Sequence, residues 1–130
     1  MTHFDGGCLC GHIRFRASGA PGFPHTCSCR MCQRQTGSLT AVWVEFPREA
    51  VAWTGPGGAP SVFRSSGASS RAFCPLCGSS IGAIDDAPVV ALLTGTFDKP
   101  HLKALTPQGH SYVSARPKWW TPHIAGAGRD

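Results

Sequence analysis

The sequence predicts a mainly β, turn-rich fold, and three observations predict it. Gly and Pro number 16 and 11 in 130 residues, so one of them falls about every five residues and long helices do not fit between them. Several short runs alternate apolar and polar side chains or are rich in β-branched and aromatic residues. Seven cysteines fall into three tight groups, the pattern of a chain that bends around metal ions.

The elements follow in order. From His12 to Ala17 the chain alternates, with Ile13, Phe15 and Ala17 on one side and His12, Arg14 and Arg16 on the other, which predicts a half-buried strand. Ser18 to Pro24 reads as a turn-rich link. Cys27 to Thr36 contains neither Gly nor Pro and is followed by Gly37, so it predicts one short helix with a glycine at its C-terminus. Thr40 to Phe46 is a strand stopped by Pro47, and Val51 to Thr54 is a shorter one. The loop Gly55 to Pro60 breaks the chain. Ser61 to Arg64 and Arg71 to Cys74 read as strand ends flanking a turn. Ile81 to Ile84 and Val89 to Phe97 are further strands, the second apolar enough to be central. Gly109 to Ser114 is a last candidate strand. Trp43 is expected in the core; Trp119 and Trp120 either cap the core or line a cleft, and the core is the favoured assignment. Residues 1–130 read as a single domain, with roughly 117–130 a partly frayed tail.

Composition narrows the function. Hydrophobic residues make up 42%, an ordinary globular value. The longest apolar run, Val89 to Leu93, is far short of the ~20 residues of a spanning helix. The N-terminus has neither a basic start nor an apolar stretch, so no secretory signal is read there and a cytoplasmic location is expected. That compartment keeps thiols reduced, and an odd cysteine count also disfavours a disulfide framework. The formal charge of +5 invites a nucleic-acid reading. Seven metal-bound thiolates and two divalent ions contribute −7 and +4, which lowers the charge to about +2. The twelve basic residues are also scattered, with no dense run, so nucleic acid is not the expected partner.

The groups are Cys8-Leu9-Cys10-Gly11, Cys27-Ser28-Cys29-Arg30-Met31-Cys32 and Cys74-Pro75-Leu76-Cys77-Gly78. The third is a metal knuckle: two cysteines with two residues between them, a proline inside the turn and a glycine at its exit. Phe73 before it and the β-type run after it place it at a hairpin tip. It needs two more ligands, and Cys8 and Cys10, also followed by glycine, are the natural partners. Two strands packed side by side would bring Cys8, Cys10, Cys74 and Cys77 into a closed structural zinc site. Cys27, Cys29 and Cys32 form a second set with no fourth cysteine left for it. An open fourth position is what catalytic zinc sites keep, although His25, two residues from Cys27, is a candidate to close it. A redox pair Cys29/Cys32 with a spare thiol is the competing reading, but the βαβ context of a thioredoxin-like site is absent.

These motifs resemble the glutathione-dependent formaldehyde-activating enzymes, whose domain is shared with centromere protein V. The resemblance runs from Gly6-Gly7-Cys8-Leu9-Cys10-Gly11 and Ile13-Arg14-Phe15, through the middle motif and Gly37, to Phe73-Cys74-Pro75-Leu76-Cys77-Gly78, and extends to His110-Ser111-Tyr112-Val113-Ser114 and Trp119. It implies small antiparallel sheets stacked in a tent-like fold with two zinc ions. It further implies that Cys8, Cys10, Cys74 and Cys77 hold a structural zinc, and that Cys27, Cys29 and Cys32 hold the catalytic one. The implied activity is that of a carbon–sulfur lyase joining formaldehyde to glutathione or a related small thiol. One departure is Ser28, where the family often carries His; the chain is also shorter than the founding enzymes. Arg30 and Arg34, near the open site, are candidates to attract the anionic thiol. Two other functions stay open: a non-catalytic zinc module for protein or nucleic-acid contact, and a lyase acting on another thiol adduct. A module predicts an occupied fourth zinc position, and an enzyme predicts an open one inside a cleft.

Overall fold

A computed structural model describes residues 2–86 and 88–120. It contains ten strands in two sheets and one α-helix among the described residues. The smaller sheet has the order β1 (His3–Gly7), β2 (Arg14–Ser18) and β5 (Val51–Trp53), all antiparallel. The larger one carries β3 (Gly22–Cys27), β4 (Ala41–Pro47), β6 (Ser61–Arg64), β7 (Ser69–Phe73), β8 (Ser80–Asp85), β9 (Val89–Leu93) and β10 (His110–Ser111). Its spatial order is β10-β3-β4-β9-β8-β7-β6. β10 runs parallel to β3, and the other pairings are antiparallel.

The period of two along each strand sorts the side chains into layers. Phe4, Phe15 and Ala17 from the small sheet, with Ile13 just before β2, pack against Val44, Phe46, Ala72, Val90 and Leu92 from the large one. Phe15 and Phe97 meet edge to face with ring centroids 5.1 Å apart, and Phe4 and Phe46 lie 6.0 Å apart. Phe15 is 1% exposed at the centre of this layer. Phe15→Ala is therefore expected to destabilise the protein by about 3–5 kcal/mol, read as a lowered urea midpoint at unchanged slope.

Most predicted strands are present, with ends moved by at most four residues. β9 is central as expected, between β4 and β8, but it ends at Leu93 because Thr94–Thr96 form a 3₁₀ turn. Two strands were not expected. β1 carries Gly6 and Gly7, which hide its alternation. β3 lies across the expected link: its register shifts between Gly22 and His25, and this irregularity accommodates Pro24 and a left-handed Phe23 with φ of 41°.

The helix α1 is Arg30–Thr36, so the expected start at Cys27 is corrected. Cys27 ends β3, and Cys29 is the extended N-cap residue. Gly37 ends the helix with φ of 72°, and its amide donates to the Gln33 carbonyl. Trp43 is buried as expected, whereas Trp119 is 79% exposed, which overturns its assignment to the core. It lies within a turn closed by the Trp120 amide donating to the Pro117 carbonyl, beyond the last strand, where neither sheet covers it. Of the tail expected to fray, roughly 117–130, the part from 121 onward lies outside the described residues. No helix among the described residues is long and apolar enough to cross a membrane.

Candidate metal centres and the adjoining cleft

The sulfurs of Cys8, Cys10, Cys74 and Cys77 lie within 4.8 Å of one another. The expected side-by-side strands do not produce this. β2 and β8 belong to different sheets, and two hairpin loops meet instead: β1–β2, carrying Cys8 and Cys10, and β7–β8, carrying Cys74 and Cys77. Both loops use the same local device. The Cys8 amide donates to the Ile13 carbonyl and the Cys74 amide to the Ser79 carbonyl, both at 3.0 Å. Gly11 and Gly78 close the loops with φ of 83° and 77°, which a side chain would strain. The Ser79 hydroxyl bridges the loops, accepting from the Leu9 amide at 3.1 Å and lying 3.1 Å from Cys77 Sγ. That hydrogen bond is the main reason the Cys77 thiol is pulled down to about 5.

The donor set fits a tetrahedral thiophilic ion. With metal–sulfur bonds of about 2.3 Å, sulfurs at the corners of a tetrahedron are about 3.8 Å apart. Cys8 Sγ to Cys10 Sγ is 3.7 Å and Cys10 Sγ to Cys74 Sγ is 3.8 Å. The amides of Ile13 and Leu76 donate to Cys8 and Cys74 Sγ at 3.3 and 3.4 Å, which suits thiolates better than thiols.

The second cluster is Cys27, Cys29 and Cys32, again with all sulfurs within 4.8 Å. The end of β3 and the first turn of α1 bring them together, and the Cys32 amide donates to Cys29 Sγ at 3.3 Å. Burial, followed by the neighbouring thiols, pushes Cys27 up to about 12. Three sulfurs this close do not ionise together unless a cation offsets them, and a divalent ion does so. His25 does not join the cluster: neither ring nitrogen falls within the distance that unites the three sulfurs. Its ring stacks on Phe23 with centroids 4.0 Å apart, and its Nδ1 lies 2.7 Å from the Phe23 carbonyl. Among the described residues the set therefore stops at three. Ser28, between two of the ligands, is 2% exposed and donates to Thr40 at 2.8 Å instead of facing the cluster.

The three sulfurs open into a cleft of about 300 Å³ on the outer face of the large sheet. Side chains two apart on neighbouring strands line it: His25 and Cys27 of β3, Trp43 and Glu45 of β4, Ala91 of β9, Ala83 and Asp85 of β8, and Ser69 and Arg71 of β7. Ala83 and Ala91 form a low floor between two taller walls. Arg71 Nη1 lies 3.7 Å from Cys32 Sγ and donates to Gln35 Oε1 at 2.7 Å, and the guanidinium sits 5.4 Å from the Trp43 ring centroid. At the opposite wall, burial raises the Glu45 carboxyl above the usual range; His25 opposes this shift and Asp85 adds to it. Arg30 and Arg34, proposed from the sequence, do not line this cleft. Arg30 bonds Gln33, while Arg34 lines an adjoining groove with Met31 and Phe63. The sequence reading missed Arg71 because its place depends on the β7–β8 register that sets it opposite Ala83.

Fold and site together define a β-rich protein with one four-cysteine and one three-cysteine cluster, each able to hold a metal ion. The model of the glutathione-dependent formaldehyde-activating enzyme family matches residues 3–115, and the chain belongs to that family. No curated protein matches the chain. A crystal structure of a Rhodobacter sphaeroides protein shares the fold, with a TM-score of 0.65 at 15% identity, covering 82% of this chain and 99% of that one.

Proposed function

We propose that this protein is a zinc-dependent carbon–sulfur lyase that forms or cleaves the S-hydroxymethyl adduct of a small thiol, glutathione or a relative, with formaldehyde. The observation that carries this reading is the cluster of three sulfurs with no fourth protein ligand among the described residues, opening into a cleft of substrate size. A non-catalytic module would have its fourth position filled, and His25 is engaged with Phe23 instead. Cys8, Cys10, Cys74 and Cys77 would hold the structural ion, and Cys27, Cys29 and Cys32 the catalytic one. Family membership supports the same reaction class, and seven cysteines without a disulfide among them suit a reducing compartment such as the cytoplasm.

In the forward direction the thiol sulfur attacks the aldehyde carbon. A carbon–sulfur bond forms, the carbonyl π pair moves to oxygen, and the thiol's proton ends on that oxygen as a hydroxyl. When bound, zinc would supply a cation that favours the thiolate form of a substrate at neutral pH and polarises an aldehyde oxygen. The chain's own residues supply the rest. Three cysteine thiolates would leave the site with net charge −1, and Arg71 beside Cys32 Sγ offsets it. Trp43, Ala83 and Ala91 give the cleft an apolar floor that limits water near the reacting carbon.

The test is formaldehyde–glutathione exchange followed by NMR against the spontaneous background. Zinc-loaded protein is expected to accelerate exchange well above that background. No acceleration by protein carrying two zinc ions, with glutathione or with other small thiols, would sink the lyase reading.

A further inference from the structure

The other arginines that make ion pairs in this structure show what Arg71 lacks. Arg14, Arg16 and Arg64 each pair with an aspartate. Arg16 does so with one edge of its guanidinium, Nε at 2.8 Å and Nη2 at 3.1 Å from the two Asp5 carboxylate oxygens. In Arg71, Nη1 makes both hydrogen bonds, to Gln35 and Cys32, and these fix the plane of the group. Its Nε is buried without a partner. Ser69, two residues earlier on the same face of β7, has a hydroxyl that is also buried and unpartnered. Two of the three such atoms among the described residues therefore lie on one wall of one cleft. An unmade hydrogen bond at a buried donor is costly, so a cluster of them in a cleft marks where a ligand acceptor belongs.

We propose that the Nε–Nη2 edge of Arg71, with the Ser69 hydroxyl, docks a carboxylate carried by the substrate thiol. This rests on the lyase reading for the identity of the substrate and assigns the residue that selects it. The polarity of the cleft gives the direction. Arg71, Ala83, Ala91 and Glu45 occupy one cross-strand row, with Arg71 and Glu45 three strand spacings, about 14 Å, apart. Glu45 repels an anion from the far end, while the two alanines leave the space between open; Asp85, the cross-strand partner of Ser69 on β8, lies on the near side and confines the carboxylate to the Arg71 edge. Because Arg71 touches a cysteine of the cluster, the carboxylate sits close to the reacting sulfur. The class of ligand is a mercapto acid, with glutathione one of its larger members.

The experiment compares 3-mercaptopropionate with the isosteric 3-mercaptopropionamide, using the zinc-loaded chain, by formaldehyde exchange and by calorimetric binding without aldehyde. The carboxylate is expected to have a KM and a Kd about tenfold or more below those of the amide. Arg71→Gln is expected to erase that preference by weakening only the carboxylate. Arg71→Lys, which keeps the charge but loses the fork, is expected to keep part of it. Equal affinity for the two thiols in the unmodified protein, or an Arg71→Gln loss that falls equally on both, overturns the assignment. If exchange is not accelerated at all, the lyase reading fails, and the calorimetric preference still decides the role of Arg71. Zinc content of each variant separates loss of docking from loss of the metal centre.

Discussion

Cys74→Ser is expected to yield a chain that does not fold. Cys74 is fully buried within the main core cluster, and its sulfur lies 3.8 Å from Cys10 Sγ, a residue 64 positions away in the sequence. The four-cysteine cluster joins a hairpin of the three-stranded sheet to a hairpin of the seven-stranded sheet. An ion there would cross-link the two layers whose packing makes the core. Structural zinc contributes about 10–16 kcal/mol in small zinc-binding peptides, against a total stability of about 5–15 kcal/mol for an ordinary domain. Losing that term leaves the buried Cys8 without its ion and removes the cross-link. Circular dichroism and urea titration check this. A Cys74→Ser protein with a cooperative transition within a few degrees of the unmodified one would refute a stapling role. Chelation of the unmodified protein is expected to have the same effect, reversed by adding zinc.

Cys29→Ala is expected to behave in the opposite way: the fold survives and exchange of formaldehyde with thiol drops to the uncatalysed rate. Cys29 is only half-buried and lies outside the core cluster between the sheets. What the fold loses is a sulfur cap on α1, accepting from the Cys32 amide. Helix caps contribute about 1 kcal/mol, so the melting temperature should fall by about 2–8 °C. Two sulfurs cannot hold the second ion as three do, and zinc content should fall from two per chain to one. The predictive value lies in the pair of variants. If Cys29→Ala unfolds the chain as Cys74→Ser does, both clusters are structural and the division of labour proposed for them is wrong.

The two cysteine clusters were legible in the sequence because the spacing that brings sulfurs together is a local property. A knuckle is a turn, and Cys74-Pro75-Leu76-Cys77-Gly78 encodes its turn geometry in consecutive residues, down to the positive φ of Gly78. The short helix and its glycine cap were legible for the same reason. What was not legible depends on register. Arg71, Glu45 and Asp85 share a cleft because β7, β8, β9 and β4 pair in particular alignments, and no local pattern records those. β3 was hidden by Gly22 and Pro24, residues that ordinarily mark loops and here mark an irregular strand. Arg30 and Arg34 were chosen for nearness in sequence to the middle cysteines, but a helix turns its side chains by about 100° per residue, so nearness along the chain does not set direction. Trp119 was assigned to the core on residue type alone, and residue type does not say whether a chain end folds back.

The central claim is that the two cysteine clusters differ in one respect: the first is closed and the second keeps a position for a substrate thiol. Cobalt(II) replacement followed by titration with glutathione tests it directly, because each sulfur bound to cobalt adds to the charge-transfer absorption. The account predicts two cobalt ions per chain and a rise in sulfur-to-cobalt absorption on adding thiol that saturates at one thiol per chain and is absent in Cys29→Ala. An unchanged spectrum on adding thiol to protein with both sites loaded would mean that the second site is already closed, and would contradict the account.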